Sequence, residues 1–289
     1  MKIIDRLFGK KQFKLDFLVV GTQKAGTSSL FSFLSLHPQC GFGSTKEIHY
    51  FDTNYEKGET WYHNHFDRKK TTDKKYFEVT PSYIYHPWVP ERISAYNNKI
   101  KLIVVLRDPI ERAYSAWNMW RIAHHEKKEF YLKHFSENPR EHRKPYLDLF
   151  HKDDFPSFNE IISDEIEALM KTEKYSTPDF VQRGIYAQQL ENFYKYFSRD
   201  QLLVINSQDL MSSKIQELKR IEQFLGISSF DWPKKKLANN HVRGYESSVD
   251  ADSLSVLQKF YKPYNEDLFK LLGTDLGWNK SKIRVLRDF

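Results

Sequence analysis

Four short apolar runs punctuate the chain: Leu15–Val20, Tyr76–Thr80, Lys101–Leu106 and Gln201–Ile205. Leu15–Val20 and Lys101–Leu106 are nearly continuous in apolar residues. Each is stopped abruptly, by Gly21 in one case and by Arg107-Asp108-Pro109 in the other. That is the pattern of a parallel strand buried on both faces. Between them the apolar spacing changes to a helical one. Leu30, Phe31, Phe33 and Leu34 follow Thr27 or Ser28, either of which can cap a helix that Pro38 closes. Further helices are predicted from Pro109 to about 121, with proline favourably placed in the first turn, and over 186–197, 213–225 and 253–272. Strands alternating with helices predict an α/β fold with a central parallel sheet flanked by helices. Residues 127–154 are rich in Lys, Glu, His and Tyr and show little periodicity. They read as an excursion over the surface, which would cover the active site if it crosses the cleft. There is no internal repeat and no low-complexity tract, so 1–289 is expected to be one domain.

Composition narrows the picture. The 289 residues hold 45 Lys and Arg against 38 Asp and Glu, a net charge of +7, which suits an anionic ligand at least as well as nucleic acid. The basic residues are interleaved with acidic ones and form no nucleic-acid-binding module, which argues against a basic nucleic-acid-binding protein. The Lys234-Lys235-Lys236 run reads as a solvated face. With Cys40 as the single cysteine, neither an intramolecular disulfide nor a cysteine-based zinc site can form, and a reducing compartment is favoured. No apolar stretch is long enough for a membrane span or a signal peptide. A cytoplasmic enzyme is therefore the expectation, with a truncated luminal enzyme as the alternative.

The first chemistry-bearing segment is Gly21-Thr22-Gln23-Lys24-Ala25-Gly26-Thr27-Ser28-Ser29, between a strand and a helix. Backbone N–H groups in such a turn and the helix N-terminus together favour an anion. Gly21 and Gly26 have the spacing of a nucleoside-triphosphatase loop, but Thr27 stands where that loop has its lysine, and Lys24 lies inside the turn. No strand ends in a carboxylate suited to magnesium. These departures count against a nucleotide kinase on the same fold, and no metal is expected. The bland alternative is an ordinary turn with an exposed lysine.

Four segments in order carry a resemblance. The stretch Phe17–Pro38 is similar to the 5′-phosphosulfate loop of sulfotransferases that use 3′-phosphoadenosine 5′-phosphosulfate, and most like the heparan sulfate O- and N-sulfotransferase branch. Lys46-Glu47-Ile48-His49-Tyr50-Phe51-Asp52, then Val104–Ser115 with its Leu106-Arg107-Asp108-Pro109 core, then Arg183-Gly184-Ile185-Tyr186, follow in the order that family has them. The resemblance implies a P-loop-like sulfotransferase fold. It implies that Lys24, Ala25, Gly26, Thr27, Ser28 and Ser29 bind the phosphosulfate, and that Arg107 and Ser115 bind the 3′-phosphate. It also implies that Arg243, Gly244 and Tyr245 belong to a loop over the nucleotide. Lys24 would be the cation at the bridging oxygen, Glu47 the base and His49 a companion in the cleft. The product would be adenosine 3′,5′-bisphosphate, and the acceptor a hydroxyl, less readily an amine, on a sugar or other small metabolite.

Competing roles exist for these residues. Arg107 could pair with Asp108 or Glu111, Ser115 could be a helix-surface hydroxyl, and Glu47 could pair with Lys46 or Lys24. If Glu47 and His49 lie on an extended segment, side chains two apart share a face. One departure stands out: Val79 occupies, within Glu78-Val79-Thr80-Pro81-Ser82-Tyr83, the place of a lysine near the acceptor site in relatives.

Overall fold

The computed structural model describes residues 13–67, 73–171, 177–237 and 249–280. Arg243, Gly244 and Tyr245, expected over the nucleotide, lie outside the described residues. Two compact units interleave along the chain. The first takes the described residues within Met1–Thr22, Gly26–Val105 and Asn192–Asn240, and the second those within Gln23–Ala25, Leu106–Glu191 and His241–Phe289.

The first unit is built on the sheet. Strands β1 (Phe17–Gly21), β2 (Cys40–Phe42), β3 (Lys75–Val79), β4 (Lys101–Leu106) and β5 (Leu202–Asn206) lie in the order β2-β3-β1-β4-β5. The β1–β3, β1–β4 and β2–β3 pairs are parallel, with Phe17 opposite Phe77 on one side and Lys101 on the other. Every residue of β1 is buried, which explains why its sequence is a continuous apolar run. The helices of this unit are α1 (Thr27–Leu34), α2 (Gly58–His63), α3 (Val89–Tyr96), α8 (Ser207–Ser212) and α9 (Lys214–Leu225). The chain leaves β1 toward β3 and later adds β4 on the other side. The C-terminal ends of β1 and β4 therefore form the switch point at which α/β sheets bind ligands.

The second unit is helical: α4 (Pro109–Glu137), α5 (Lys144–His151), α6 (Phe158–Met170), the start of α7 (Tyr186–Tyr194) and α10 (Ala251–Leu272). Residues 127–154 are not the unpatterned surface excursion that their composition predicts. Helix α4 continues to Glu137 through a non-helical Lys127 with φ −140°, and α5 follows. Phe135, Tyr146, Leu149 and Phe150 are buried in one apolar cluster with Tyr114, Phe158 and Phe180. The Tyr146/Leu149/Phe150 spacing is helical, but the charged residues around it mask the signal.

The short strand β2 and helices α2, α3, α5, α6 and α8 have no counterpart among the expected elements. Helix α1 is also shorter than expected, ending before Ser35 rather than at Pro38.

Candidate functional site

The turn after β1 is shaped by its backbone. Thr22 N–H donates to the Val105 carbonyl at 2.9 Å, beyond the last β1–β4 pair. Lys24 has φ 70° and Gly26 has φ 94°. Such values suit glycine, so Gly26 is the residue that can end the turn without a Cβ penalty. Gly26 is the N-cap of α1, in place of the expected Thr27 or Ser28, and its carbonyl accepts the Leu30 N–H at 3.0 Å. Glycine brings no side chain to cap the helix, and the first turn of α1 holds no acidic residue. The first N–H groups and the positive end of the helix dipole are thus left to an anion. Ala25, Thr27 and Ser29 are buried, while Lys24 and Ser28 are half-buried.

Arg107 directly follows β4. Its Nε donates to Glu111 Oε2 at 3.1 Å and its Nη1 to the Lys24 carbonyl at 3.2 Å. The anticipated ion pair therefore exists, with Glu111 rather than Asp108. These contacts engage two of five guanidinium N–H donors. Asp108 caps α4, with Oδ1 accepting the N–H groups of Ile110 at 2.9 Å and Glu111 at 3.4 Å. Ser115 is a buried residue, not an exposed helix hydroxyl.

The Arg107 backbone is held as well, because the Tyr186 hydroxyl donates to its carbonyl at 2.8 Å. Tyr186 closes the Arg183-Gly184-Ile185-Tyr186 segment. At Gly184 a Cβ would meet Tyr261 Oη at 2.7 Å and Pro109 Cβ at 2.8 Å, so the close approach requires glycine. Buried side chains fix the preceding residues. Glu165 accepts the N–H groups of Val181 at 2.7 Å and Gln182 at 2.8 Å, and Tyr261 donates to the Val181 carbonyl at 2.7 Å. Arg112 donates to the Phe180 carbonyl. Burial pushes the Glu165 carboxyl up to about 8 against the pull of those N–H groups and of Arg112.

Glu47 and His49 do come together, but not on an extended segment. Both have left-handed backbone, φ 62° and 57°. Glu47 Oε2 lies 3.8 Å from His49 Nε2, while Glu47 Oε1 pairs with Lys46, one of its two anticipated alternatives. His49 Nδ1 donates to Asp52 Oδ2 at 2.9 Å, and the same oxygen accepts the Ser82 hydroxyl at 2.7 Å. Burial opposes the charge on His49. The hydrogen bond and charge of Asp52, with Glu47 and Glu78 adding to them, outweigh burial and hold the imidazole above its ordinary value. Burial likewise opposes charge on Asp52, but His49 and Ser82 bring it down to about 2. Both shifts favour the charged form of their group, and each group is the other's main favourable partner.

Beneath it, Glu78 is buried and accepts hydroxyls from Tyr62, Thr80 and Tyr83. The Tyr83 hydroxyl also accepts the Phe51 N–H at 3.2 Å, and Arg92 Nη1 donates to the Phe51 carbonyl at 2.9 Å.

Asp52 and Ser82 had no assigned role in the sequence reading. The i,i+3 spacing of His49 and Asp52 is the signal that could have named Asp52. Ser82 reaches it from 30 residues away and leaves no local trace. Cys40 is buried, and burial pushes its thiol up to about 12. Among the described residues no group of three or more His, Cys, Asp or Glu could hold a metal, and no helix is long and apolar enough to cross a membrane.

A parallel sheet flanked by helices, with an anion-ready turn after its first strand, defines a P-loop-like α/β protein of the sulfotransferase kind. The sulfotransferase domain model matches residues 14–262, and the chain belongs to that family. It is similar to human heparan sulfate glucosamine 3-O-sulfotransferase 3B1, with 29% identity over 94% of this chain and 66% of that protein. The human 3-O-sulfotransferase 6 is 30% identical over 93% of this chain and 75% of that protein. The chain thus spans just under two thirds of the 3B1 length and 64% of the human 3A1 length. Among solved structures, a sulfotransferase from Alicyclobacillus acidocaldarius superposes with a TM-score of 0.67. It is 22% identical, covering 93% of this chain and 100% of that one, and shares the fold.

Proposed function

We propose that this protein transfers a sulfuryl group from 3′-phosphoadenosine 5′-phosphosulfate to a hydroxyl, less readily an amine, on a sugar or other small acceptor, as a single sulfotransferase domain. The observation that carries this is the turn after β1. In a chain of the sulfotransferase family, it leaves the start of α1 uncapped and free of acid, with Lys24 two residues before the cap.

In this reading the N–H groups and hydroxyls of Ala25–Ser29 hold the phosphosulfate, and Lys24 faces the oxygen that bridges phosphorus and sulfur. Arg107 and Ser115 take the 3′-phosphate, the guanidinium supplying a fork of donors and the serine a hydroxyl. Glu47 accepts the proton of the acceptor hydroxyl. The acceptor oxygen forms the new bond to sulfur as the bond from sulfur to the 5′-phosphate oxygen breaks. Adenosine 3′,5′-bisphosphate leaves with its growing charge facing Lys24. Position and electrostatics do the catalytic work, as in phosphoryl transfer. Arg243, Gly244 and Tyr245 complete the nucleotide site in this proposal.

The relatives named above are heparan sulfate glucosamine 3-O-sulfotransferases, which supports a glycan hydroxyl as acceptor. Val79 is fully buried in β3 and offers no cation there, which favours an acceptor less acidic than that polysaccharide. A cytoplasmic location forms part of the same reading, supported by the single cysteine.

The test is thermal unfolding with ligands. Adenosine 3′,5′-bisphosphate without metal should raise Tm, because a ligand bound only by the native state stabilises it by mass action. ATP with Mg²⁺ at the same concentration should raise it less. The reverse order would reject the sulfotransferase reading in favour of a kinase.

A further inference from the structure

Left-handed backbone at a non-glycine residue is unfavourable and persists only where surrounding contacts over-determine it. Glu47 and His49 carry two such residues in three. Their peptide groups are tied down in turn. Glu47 N–H donates to the Val79 carbonyl at 3.0 Å, and the His49 carbonyl accepts the N–H groups of Thr53 at 3.2 Å and Asn54 at 2.9 Å. The carbonyl between the two left-handed residues belongs to Ile48, and Asn54 Nδ2 donates to it at 3.0 Å. Asn54 therefore holds the carbonyls of Ile48 and His49, one through its side chain and one through its backbone.

The carboxamide has another use available. Asn54 is the N-cap of the 3₁₀ turn Tyr55–Lys57 and makes no side-chain cap bond there. Asparagine at an N-cap ordinarily turns its oxygen to the following N–H groups. Here the amide end points back at Ile48, and because a carbonyl accepts, the end that reaches it must be the NH₂.

We infer that Asn54 is a positioning residue for sulfuryl transfer. Its carboxamide locks the Ile48 carbonyl and so fixes the left-handed pair that turns Glu47 and His49 toward each other and seats His49 on Asp52. Asn54 contacts neither side chain through its amide and acts only through the backbone. The inference rests on the proposed acceptor-side roles of Glu47 and His49.

The test uses Asn54→Ala and Asn54→Ser in the full chain. Serine is a good N-cap, so it can support the 3₁₀ turn while being too short to reach Ile48. The primary readout is the NMR titration of the His49 ring, assigned by the signal lost in His49→Gln. The groups facing this ring are Asp52, Ser82 and Glu47, with Glu78 beyond. In the wild type it should titrate above the ordinary histidine value of ~6.5. Both variants should bring the midpoint back toward that value. Turnover on an accepted acceptor should fall roughly 10- to 100-fold, the scale of an ångström-size misplacement, with bisphosphate affinity unchanged.

An unmoved His49 midpoint in folded Asn54→Ser overturns the inference, whatever happens to Tm. A lowered midpoint with undiminished turnover upholds Asn54 as the residue that sets the turn. It would remove Glu47 and His49 from the chemistry, a failure of the proposed function and not of the positioning.

Discussion

Lys24 and Arg107 stand at the ends of regular elements, one just past β1 and the other just past β4. Glu47 and His49 stand on irregular backbone with no regular element of their own. The turn after β1, the proposed donor side, uses one left-handed non-glycine residue, Lys24, and then relaxes through Gly26. The Glu47–His49 segment, the proposed acceptor side, has two such residues and no glycine between them. The difference fits what each side would hold in the proposed reaction. An anion is met by N–H dipoles and fixed cations, which strand ends and helix starts supply with only Lys24 in a left-handed non-glycine conformation. A carboxylate and an imidazole two residues apart meet here through left-handed backbone at both residues, not through the extended geometry that would also put them on one face.

The comparison is broken most directly at Glu47. Glu47→Gln keeps the shape and removes the charge. As a general base Glu47 would contribute about 10²–10⁴-fold, so kcat should fall on that scale while adenosine 3′,5′-bisphosphate binds as in the wild type. Steady-state turnover and a binding isotherm on one preparation check both. Near-normal turnover would reject the base assignment and make His49 the next residue to test. Lost bisphosphate binding would mean that Glu47 organises the donor side, and that the two segments are not held independently.

Arg107→Ala probes the other side, with a smaller effect. Hydrogen bonds to charged groups contribute roughly 1.5–3 kcal/mol, so bisphosphate affinity should drop by about 10- to 150-fold. Arg107 also holds the Lys24 carbonyl, so part of that loss would come through the turn itself. Lysine restores charge but not the fork; Arg107→Lys should therefore recover only a fraction of the affinity. Unchanged binding in a folded Arg107→Ala protein would leave this residue with a structural role only, through Glu111 and the Lys24 carbonyl.

Sequence legibility follows the same division. β4 has the bounds expected for it, because a run such as Lys101–Leu106 ending at Arg107-Asp108-Pro109 has one reading. The turn after β1 was legible for the same reason, although the cap fell on Gly26 and not on the hydroxyl residues beside it. β2 has only three residues, one of them Gly41, and takes its identity from pairing with β3. That pairing is tertiary, and no local spacing announces it. The left-handed angles at Glu47 and His49 are likewise imposed from outside, by Val79, Asn54 and the backbone of 53–54. A sequence with no glycine there reads as extended, so the pairing of the two side chains was expected for a reason the structure does not use.

The smallest effect concerns the His49–Asp52 pair and pH. Asp52 is held at about 2, below its ordinary 3.8, so its contribution to stability is present above about 3.8 and is lost as pH falls toward about 2. His49 is raised above its ordinary 6.5, so its contribution is present below 6.5 and fades as pH rises past the folded value. Together they place the largest contribution of the pair between about pH 4 and 6.5. Asp52 is buried, but about a third of the His49 side chain is exposed, which screens the pair. The expected size is therefore on the order of 1 kcal/mol or somewhat more, less than the full shift would give. Asp52→Asn should flatten the stability–pH profile between pH 4 and 2, measured by urea unfolding at fixed temperature. Glu47→Gln, which leaves this pair intact, should not. If Asp52→Asn also weakened bisphosphate binding, the contrast between an independently held donor side and a strained acceptor side would fail. The ion pair would then belong to the architecture that both share.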